Sequence, residues 1–149
     1  MTPPNSIEWL RDLISLEIVL WDRINARLKA QHDLSLAFFE SLYFIGHSPG
    51  GSVRVGDLAR ALRITVGATS KLVDRIDAAG LIRRELDADD RRASRVVLTE
   101  TGRQKLVDSN TTYTAEVATM LDATLSADEQ QQLHSLVSRL LTAIENGES

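Results

Sequence analysis

The chain has 149 residues, of which 43% are hydrophobic and 26% charged, a composition that fits one globular domain and excludes a disordered chain. It contains no cysteine, so disulfide frameworks, thiolate metal sites and thiol-based redox switches are excluded. The sequence shows no apolar run of membrane-spanning length and no leader pattern at its start. We therefore expect a cytoplasmic protein that works without a membrane.

The net charge of −4 hides an uneven distribution along the chain. Residues 54–105 contain 12 lysines and arginines against 8 aspartates and glutamates, whereas the rest of the chain contains 5 against 13. A basic middle between acidic ends suggests that the middle segment binds nucleic acid and that the flanking segments have a different partner.

Apolar residues at helical spacing predict a long amphipathic first helix that ends near residue 32. Asp33 is the predicted N-cap of a second helix, LSLAFFESLYFIG, which the SPGG run at 48–51 ends. Because this second helix is apolar on nearly all sides, we expect it at the centre of the fold. The stripe of the first helix consists of Ile7, Leu10, Ile14, Trp21, Ile24 and Leu28.

The next segment predicts two short helices joined by a tight turn. GDLARAL forms the first, and VGATSKLVDRIDAAG forms the second, with Thr65 as its N-cap and Gly80 just past its end. One side of this second helix is predicted to pack, through Thr69, Leu72, Val73 and Ile76. The other side is predicted to be exposed and available to recognise a binding partner, and it carries Gly67, Ser70, Lys71, Asp74 and Arg75.

LIRREL and SRVVLT have strand character, and the DADDRRA stretch between them predicts a β-hairpin with an extended tip. Helix, turn, helix and hairpin in this order form a winged helix-turn-helix, whose second helix enters the major groove while the hairpin lies at the neighbouring minor groove. We expect Arg91 and Arg92 to meet phosphates or the minor groove, with the nearby aspartates holding them extended. Arg95 is expected to face outward near phosphate, and weaker candidates are Arg54, Arg60 and Arg63.

A long helix from Thr99 and a last helix from Ser126 complete the predicted fold, and Ser126 with Glu129 forms a capping box. The terminal helices present more apolar surface than the small winged core can cover, which favours a second copy of the chain. The expected fold is mainly α with a small β-hairpin wing. It divides into an N-terminal dimerisation helix (1–32), a winged helix-turn-helix (33–103) and C-terminal dimerisation helices (104–149).

Residues 53–102 resemble the multiple-antibiotic-resistance regulator (MarR) family. Asp90, Arg92 and the Leu98-Thr99 pair occupy the signature positions of the family at the wing. The resemblance implies a homodimeric transcriptional repressor without a cofactor, which binds a pseudo-palindromic operator and leaves it when a small aromatic or phenolic effector binds. It also implies an effector cleft between the dimerisation helices and the winged core, for which the candidates are Trp21, Phe39, Tyr43 and Tyr113.

The residues that contact double-stranded DNA are predicted to lie on a recognition helix (66–79) and a wing (87–95). Gly67 and Ala68 stand where many relatives carry hydroxyl or charged residues. Base reading is therefore expected to rest on Ser70, Lys71 and Arg75 and on DNA shape. The predicted set is Thr65, Gly67, Ala68, Ser70, Lys71, Arg75, Asp90, Arg91, Arg92 and Arg95.

Two other function classes stay open at this stage. A winged helix can serve as a protein-interaction module, which the acidic total charge would suit, and the candidate effector residues can be ordinary packing. An enzyme is disfavoured because the sequence offers no nucleophile and base pair and no glycine-rich phosphate loop. The histidines, at positions 32, 47 and 134, lack the spacing of metal ligands, so no metal site is expected.

Overall fold

The computed structural model describes residues 5–147, which form six α-helices and a small antiparallel sheet. The helices are α1 (Ser6–His32), α2 (Leu36–His47), α3 (Val55–Leu62), α4 (Val66–Ala78), α5 (Glu100–Asp122) and α6 (Ala127–Gly147). The strands are β1 (Ser52–Arg54), β2 (Ile82–Leu86) and β3 (Ser94–Leu98). The prediction of a mainly α fold with a small β wing is confirmed, while residues 1–4 and 148–149 of the predicted outer segments lie outside the described part.

The chain divides into two compact units, one that runs to Tyr113 and one that begins at Thr114. The first unit has a well-formed apolar core to which α1, α2, α3, α4 and the sheet all contribute. Its fully buried side chains include Leu28, Leu42, Ile45, Leu58, Ile76, Ile82 and Val96. None of the helices in residues 5–147 is both long enough and apolar enough to cross a membrane.

Asp33 ends α1 instead of capping α2, so that prediction is wrong. Its backbone adopts the left-handed conformation (φ 50°, ψ 41°), which aspartate tolerates better than most residues, and its N–H donates to the Lys29 carbonyl at 3.1 Å. Ser35 is the N-cap of α2 and accepts from the Phe38 N–H at 3.2 Å. Asn25, in the preceding helix, accepts from the Leu36 N–H at 2.9 Å, so α1 helps to cap α2.

The sheet has three strands in the order β1-β3-β2, whereas the sequence predicted only the β2–β3 hairpin. β1 pairs antiparallel with β3 and places Arg54 opposite Arg95, and β2 pairs with the other edge of β3. A strand of three residues carries little local signal, because its stability comes from a partner about forty residues away. The wing is consequently tied to the strand that leads directly into α3.

A close backbone contact fixes the start of α5 against the base of the wing. Thr99 Oγ1 accepts from the Gly102 N–H at 3.0 Å and donates to the Gly80 carbonyl at 2.7 Å. A Cβ atom on Gly102 would lie 1.9 Å from the Leu81 carbonyl oxygen, so only glycine fits at this position. Gly80 itself has φ 76° just beyond α4, as predicted for its end.

The second unit contains the end of α5 and the whole of α6. The predicted capping box is confirmed, since Ser126 N–H donates to Glu129 Oε2 at 2.8 Å and Glu129 N–H donates to Ser126 Oγ at 3.2 Å. No residue of α6 is buried. Its apolar side chains are all at least 42% exposed, namely Leu133, Leu136, Val137, Leu140, Leu141 and Ile144.

Candidate nucleic-acid interface

The helix predicted to enter the major groove, α4, buries one side and exposes the other. Thr65 is its N-cap, as predicted, and its Oγ1 accepts from the Ala68 N–H at 3.1 Å. The predicted packing side is confirmed, because the buried residues of the helix are Thr69, Leu72, Val73 and Ile76. α4 follows α3 after a tight turn in which Arg63 adopts a left-handed conformation (φ 58°).

The opposite side of α4 carries the residues that the sequence proposed as base readers. Lys71 and Arg75 are exposed and Ser70 is half-buried, while Gly67 and Ala68 lie exposed at the leading end. The Arg75 guanidinium carbon lies 5.5 Å from the centre of the Phe38 ring, a cation–π contact that the sequence did not reveal. This side also carries an acidic residue, Asp74, which forms an ion pair with Arg84 of β2.

The tip of the wing is shaped by aspartates that bind backbone rather than arginine side chains. Asp90 Oδ1 accepts from the Arg92 N–H at 2.9 Å, and the Asp90 carbonyl accepts from the Ala93 N–H at 3.0 Å. Asp87 Oδ1 accepts from the N–H groups of Asp89 and Asp90 at 2.9 and 3.1 Å. The expectation that these aspartates hold Arg91 and Arg92 extended is therefore wrong, because turn formation satisfies the carboxylates first.

Asp87 is the central polar residue of the wing, and sequence reasoning missed it. Its side chain is 3% exposed, and its Oδ2 accepts from Arg54 Nε at 2.9 Å and from an Arg95 guanidinium nitrogen at 3.3 Å. The Arg54 guanidinium, helped by the N–H groups at the tip, holds the pKa of Asp87 well below its usual range, although burial opposes this. The available signal was an aspartate followed by a turn. In an Asx turn the aspartate side chain accepts from backbone N–H groups two or three residues later.

Arg95 does not face outward as expected. Its guanidinium donates to Ser52 Oγ at 2.7 Å and to the Ser52 carbonyl at 2.9 Å, and it also contacts Asp87. Strand alternation correctly placed Arg95 on the face opposite Val96, but it could not show that β1 and Asp87 occupy that face. The partly buried Arg95 thus joins β1 to the wing.

Most cations of the basic middle are engaged inside the protein, and three are not. The arginines that pair with carboxylates are Arg54, Arg60, Arg83, Arg84, Arg95 and Arg103. Lys105 donates to the His32 carbonyl at 2.6 Å. The side chains of Lys71, Arg91 and Arg92 make no hydrogen bond or ion pair within residues 5–147, and all three are exposed. Two of them lie at the wing tip and one lies on the exposed side of α4.

Three of the four candidate effector residues lie together. The Phe39 ring stacks on the Tyr113 ring at 4.7 Å between centres, and Tyr43 lies 6.3 Å from Phe39. Burial raises the pKa of Tyr113, and the nearby charge of Glu40 adds to the effect, so the phenol stays protonated at neutral pH. Trp21 is 38% exposed and makes no ring contact with these three among the described residues.

Taken together, α3, the turn, α4 and the three-stranded sheet with its extended tip define a winged helix-turn-helix protein. Residues 32–93 match the sequence model of the MarR family. The whole chain is also similar in structure to solved MarR-type regulators. AbsC from Streptomyces coelicolor is 23% identical with a TM-score of 0.85, and the match covers 98% of this chain and 97% of that one.

Two further structures extend this comparison. The regulator BldR from Sulfolobus solfataricus is 27% identical over 89% of this chain and 94% of its own, with a TM-score of 0.76. A cysteine-to-serine mutant of MarR from E. coli, solved in complex with operator DNA, is 24% identical over 95% and 99%, with a TM-score of 0.81. Residues 32–93 thus match the MarR family, and the fold of the whole chain is that of solved MarR-type regulators.

Proposed function

We propose that this protein is a homodimeric repressor that binds a pseudo-palindromic operator and is released by a small effector. In each half-site α4 enters the major groove and the wing tip, with Arg91 and Arg92, lies at the minor groove. The two-fold symmetry of such a dimer requires half-sites about 10 base pairs apart, centre to centre. A protein of this kind acts where the chromosome lies, so the cytoplasm remains the expected compartment.

The observation that carries the DNA-binding proposal is the set of three cations without internal partners, Lys71, Arg91 and Arg92. Arg54, Arg84 and Arg95 pair with carboxylates within the protein, whereas these three cations have no such partner and can attract phosphate. Their placement on α4 and at the wing tip matches the two elements that a winged helix-turn-helix presents to a duplex.

Dimer formation is supported by the apolar side chains that α1 and α6 leave exposed. Isolated apolar residues on a surface are ordinary, but a continuous stripe of them favours a partner. In α1 the residues before Ile24 are not buried, and Ile7, Leu10 and Val19 are 72%, 53% and 61% exposed. A second copy of the chain is the occupant that two-fold operator symmetry requires.

Effector binding is supported by the aromatic cluster in which Tyr43 and Tyr113 lie beside the buried Phe39 ring: Tyr43 is exposed and can stack on a ligand, and Tyr113 carries a protonated phenol. Benzoate and phenol are suitable probes, titrated into the protein–DNA complex. We expect release of the DNA at a lower probe concentration for the wild type than for Tyr43→Ala. Equal release of both proteins would remove this cluster from the effector site.

The decisive experiment is a gel-shift titration against the DNA upstream of the protein's own gene, together with duplexes selected from a random library. Specific binding is expected to weaken steeply as salt rises, because each neutralised phosphate releases counterions. If no duplex is bound even at low salt, the DNA-binding proposal is wrong. The alternative, a winged helix that acts as a protein-interaction module, would then be favoured.

A further inference from the structure

The leading turn of α4 presents carbon atoms, not hydrogen-bonding groups, to solvent. Val66 is 57% exposed, and Ile64, two residues earlier, is 43% exposed. Gly67 and Ala68 are also exposed, and a Cβ atom built on Gly67 would meet nothing within 4 Å. Branched apolar side chains held in water at the approach end of a helix form a small contact surface.

The hydroxyl groups at this end of the helix are already engaged within the protein. Thr65 Oγ1 accepts from the Ala68 N–H at 3.1 Å, and the fully buried Thr69 donates its hydroxyl to the Thr65 carbonyl at 2.8 Å. Ser70, one turn further on, is the first hydroxyl without a partner among the described residues. The leading turn therefore meets its target mainly through methyl groups.

The two cations that follow on the same helix favour nucleic acid as the target. Lys71 and Arg75 are exposed on the next turns of the same helix, so the apolar turn is followed by a cationic one. In the major groove the base edges carry donors, acceptors and a single kind of apolar group, the C5 methyl of thymine. Resting on the DNA-binding function proposed above, we propose that Val66, together with Ile64 and Ala68, reads thymine methyl groups in each half-site.

The expected effect is large enough to measure. Burying one methyl group is worth about three- to fivefold in an equilibrium constant. A symmetric dimer makes the contact twice, so loss of the methyl from both half-sites lowers affinity about tenfold or more. Such a contact involves no phosphate, and its loss therefore leaves the salt dependence of binding unchanged.

The test uses a duplex of about 30 base pairs, long enough for two half-sites, that the full-length protein selects from a random library. Thymines are replaced by deoxyuridine one symmetric pair at a time, which removes the methyl and keeps base pairing. We expect at least one pair at which wild-type affinity falls about tenfold. Val66→Ala is expected to bind the original duplex more weakly and to lose most of this sensitivity to deoxyuridine.

A matched control separates methyl reading from a general loss of binding. Arg92→Ala, which removes a wing cation, should weaken binding to the thymine and deoxyuridine duplexes by the same factor. A duplex with 5-methylcytosine in place of cytosine distinguishes the two sources of a C5 methyl. Binding that responds to methylated cytosine and not to deoxyuridine would overturn the assignment to thymine.

Two further results would refute the inference while leaving the DNA-binding function intact. One is a selected duplex in which every deoxyuridine substitution leaves affinity within about twofold. The other is equal sensitivity to deoxyuridine in the wild type and in Val66→Ala. Failure to select any duplex would instead refute the proposed function, and the methyl contact with it.

Discussion

Asp87, at the base of the wing tip, accepts a hydrogen bond from the Arg54 guanidinium at 2.9 Å and so ties the wing to the strand that leads into α3. Asp87→Asn keeps the size of the side chain and removes the charge that holds this contact. We expect the amide hydrogens of Asp89 and Asp90 to exchange about tenfold faster in this variant, because the uncharged amide oxygen accepts from them less strongly and the ion pair that anchors the tip to Arg54 is lost. Hydrogen exchange followed by NMR measures this change.

The matched control for that variant is Asp74→Asn. Asp74 also pairs with an arginine, Arg84, but its side chain is 68% exposed, and exposed ion pairs contribute little to stability. The control is expected to leave the exchange at the wing tip unchanged. Similar exchange rates in both variants would show that Asp87 does not organise the tip.

The stability of the wing is expected to fall at acid pH through Asp87. Its pKa lies below the usual value of about 3.9 because the Arg54 guanidinium stabilises the carboxylate. Below that value the unfolded wing binds a proton that the folded wing does not, so stability is complete above about pH 4 and declines as pH falls further. The pH dependence of tip exchange should be flatter in Asp87→Asn, and an equal dependence would contradict the assignment.

Gly102→Ala is expected to destabilise the fold by about 2 kcal/mol or more, because its Cβ would meet the Leu81 carbonyl oxygen at 1.9 Å. Gly56→Ala in α3 is the control, since a Cβ there meets nothing within 4 Å and alanine favours helix. Urea denaturation of both variants measures the free energy of unfolding. Equal stability of the two would show that the base of the wing yields more easily than its geometry indicates.

Arg92→Ala is expected to weaken operator binding at least about tenfold with the fold intact, because a cation without an internal partner is removed from the wing tip. The slope of log affinity against log salt should fall by about one per lost phosphate contact. Lys29→Ala, which removes an exposed charge from the end of α1, is the control and should bind as the wild type does. Wild-type affinity in Arg92→Ala would exclude the wing tip from binding.

Leu136→Glu is expected to raise the dissociation constant of the proposed dimer about a hundredfold, because it places a charge on the apolar face of α6. Ser138→Glu adds the same charge at an exposed polar position of that helix and serves as the control. Sedimentation equilibrium measures the association of both variants. A wild-type protein that stays monomeric at micromolar concentration would refute the dimer directly.

The helices and their buried sides were predictable because their signals are local. Thr65 caps α4 through the next three residues, and the packing side of that helix follows from a 3.6-residue period. The N-cap of α2 was predicted at Asp33 and lies at Ser35, because both residue types are good caps and stand two residues apart. Asn25, which is distant in sequence, also holds the start of α2, and no local pattern reveals it.

The polar interior of the wing was not predictable for a similar reason. Arg95 follows the alternation of its strand, but its partners Ser52 and Asp87 come from β1 and from the turn. A short strand such as β1 forms only when its neighbour is present, and the arginines that remain free for a ligand can be identified only after these pairings are known. The sequence thus indicated the candidate interface as a region, and the structure separates the anchoring arginines of that region from its exposed ones.

β1 also has a mechanical consequence for regulation. It is hydrogen-bonded to β3 and runs without a break into α3, so we expect the hairpin and the two helices of the helix-turn-helix to move together. A ligand that abolished DNA binding would leave the winged core of each copy internally unchanged. It would instead alter the distance and angle between the two winged cores of the proposed dimer. An inactive form should therefore keep each core intact and fail to match the helical repeat of the duplex.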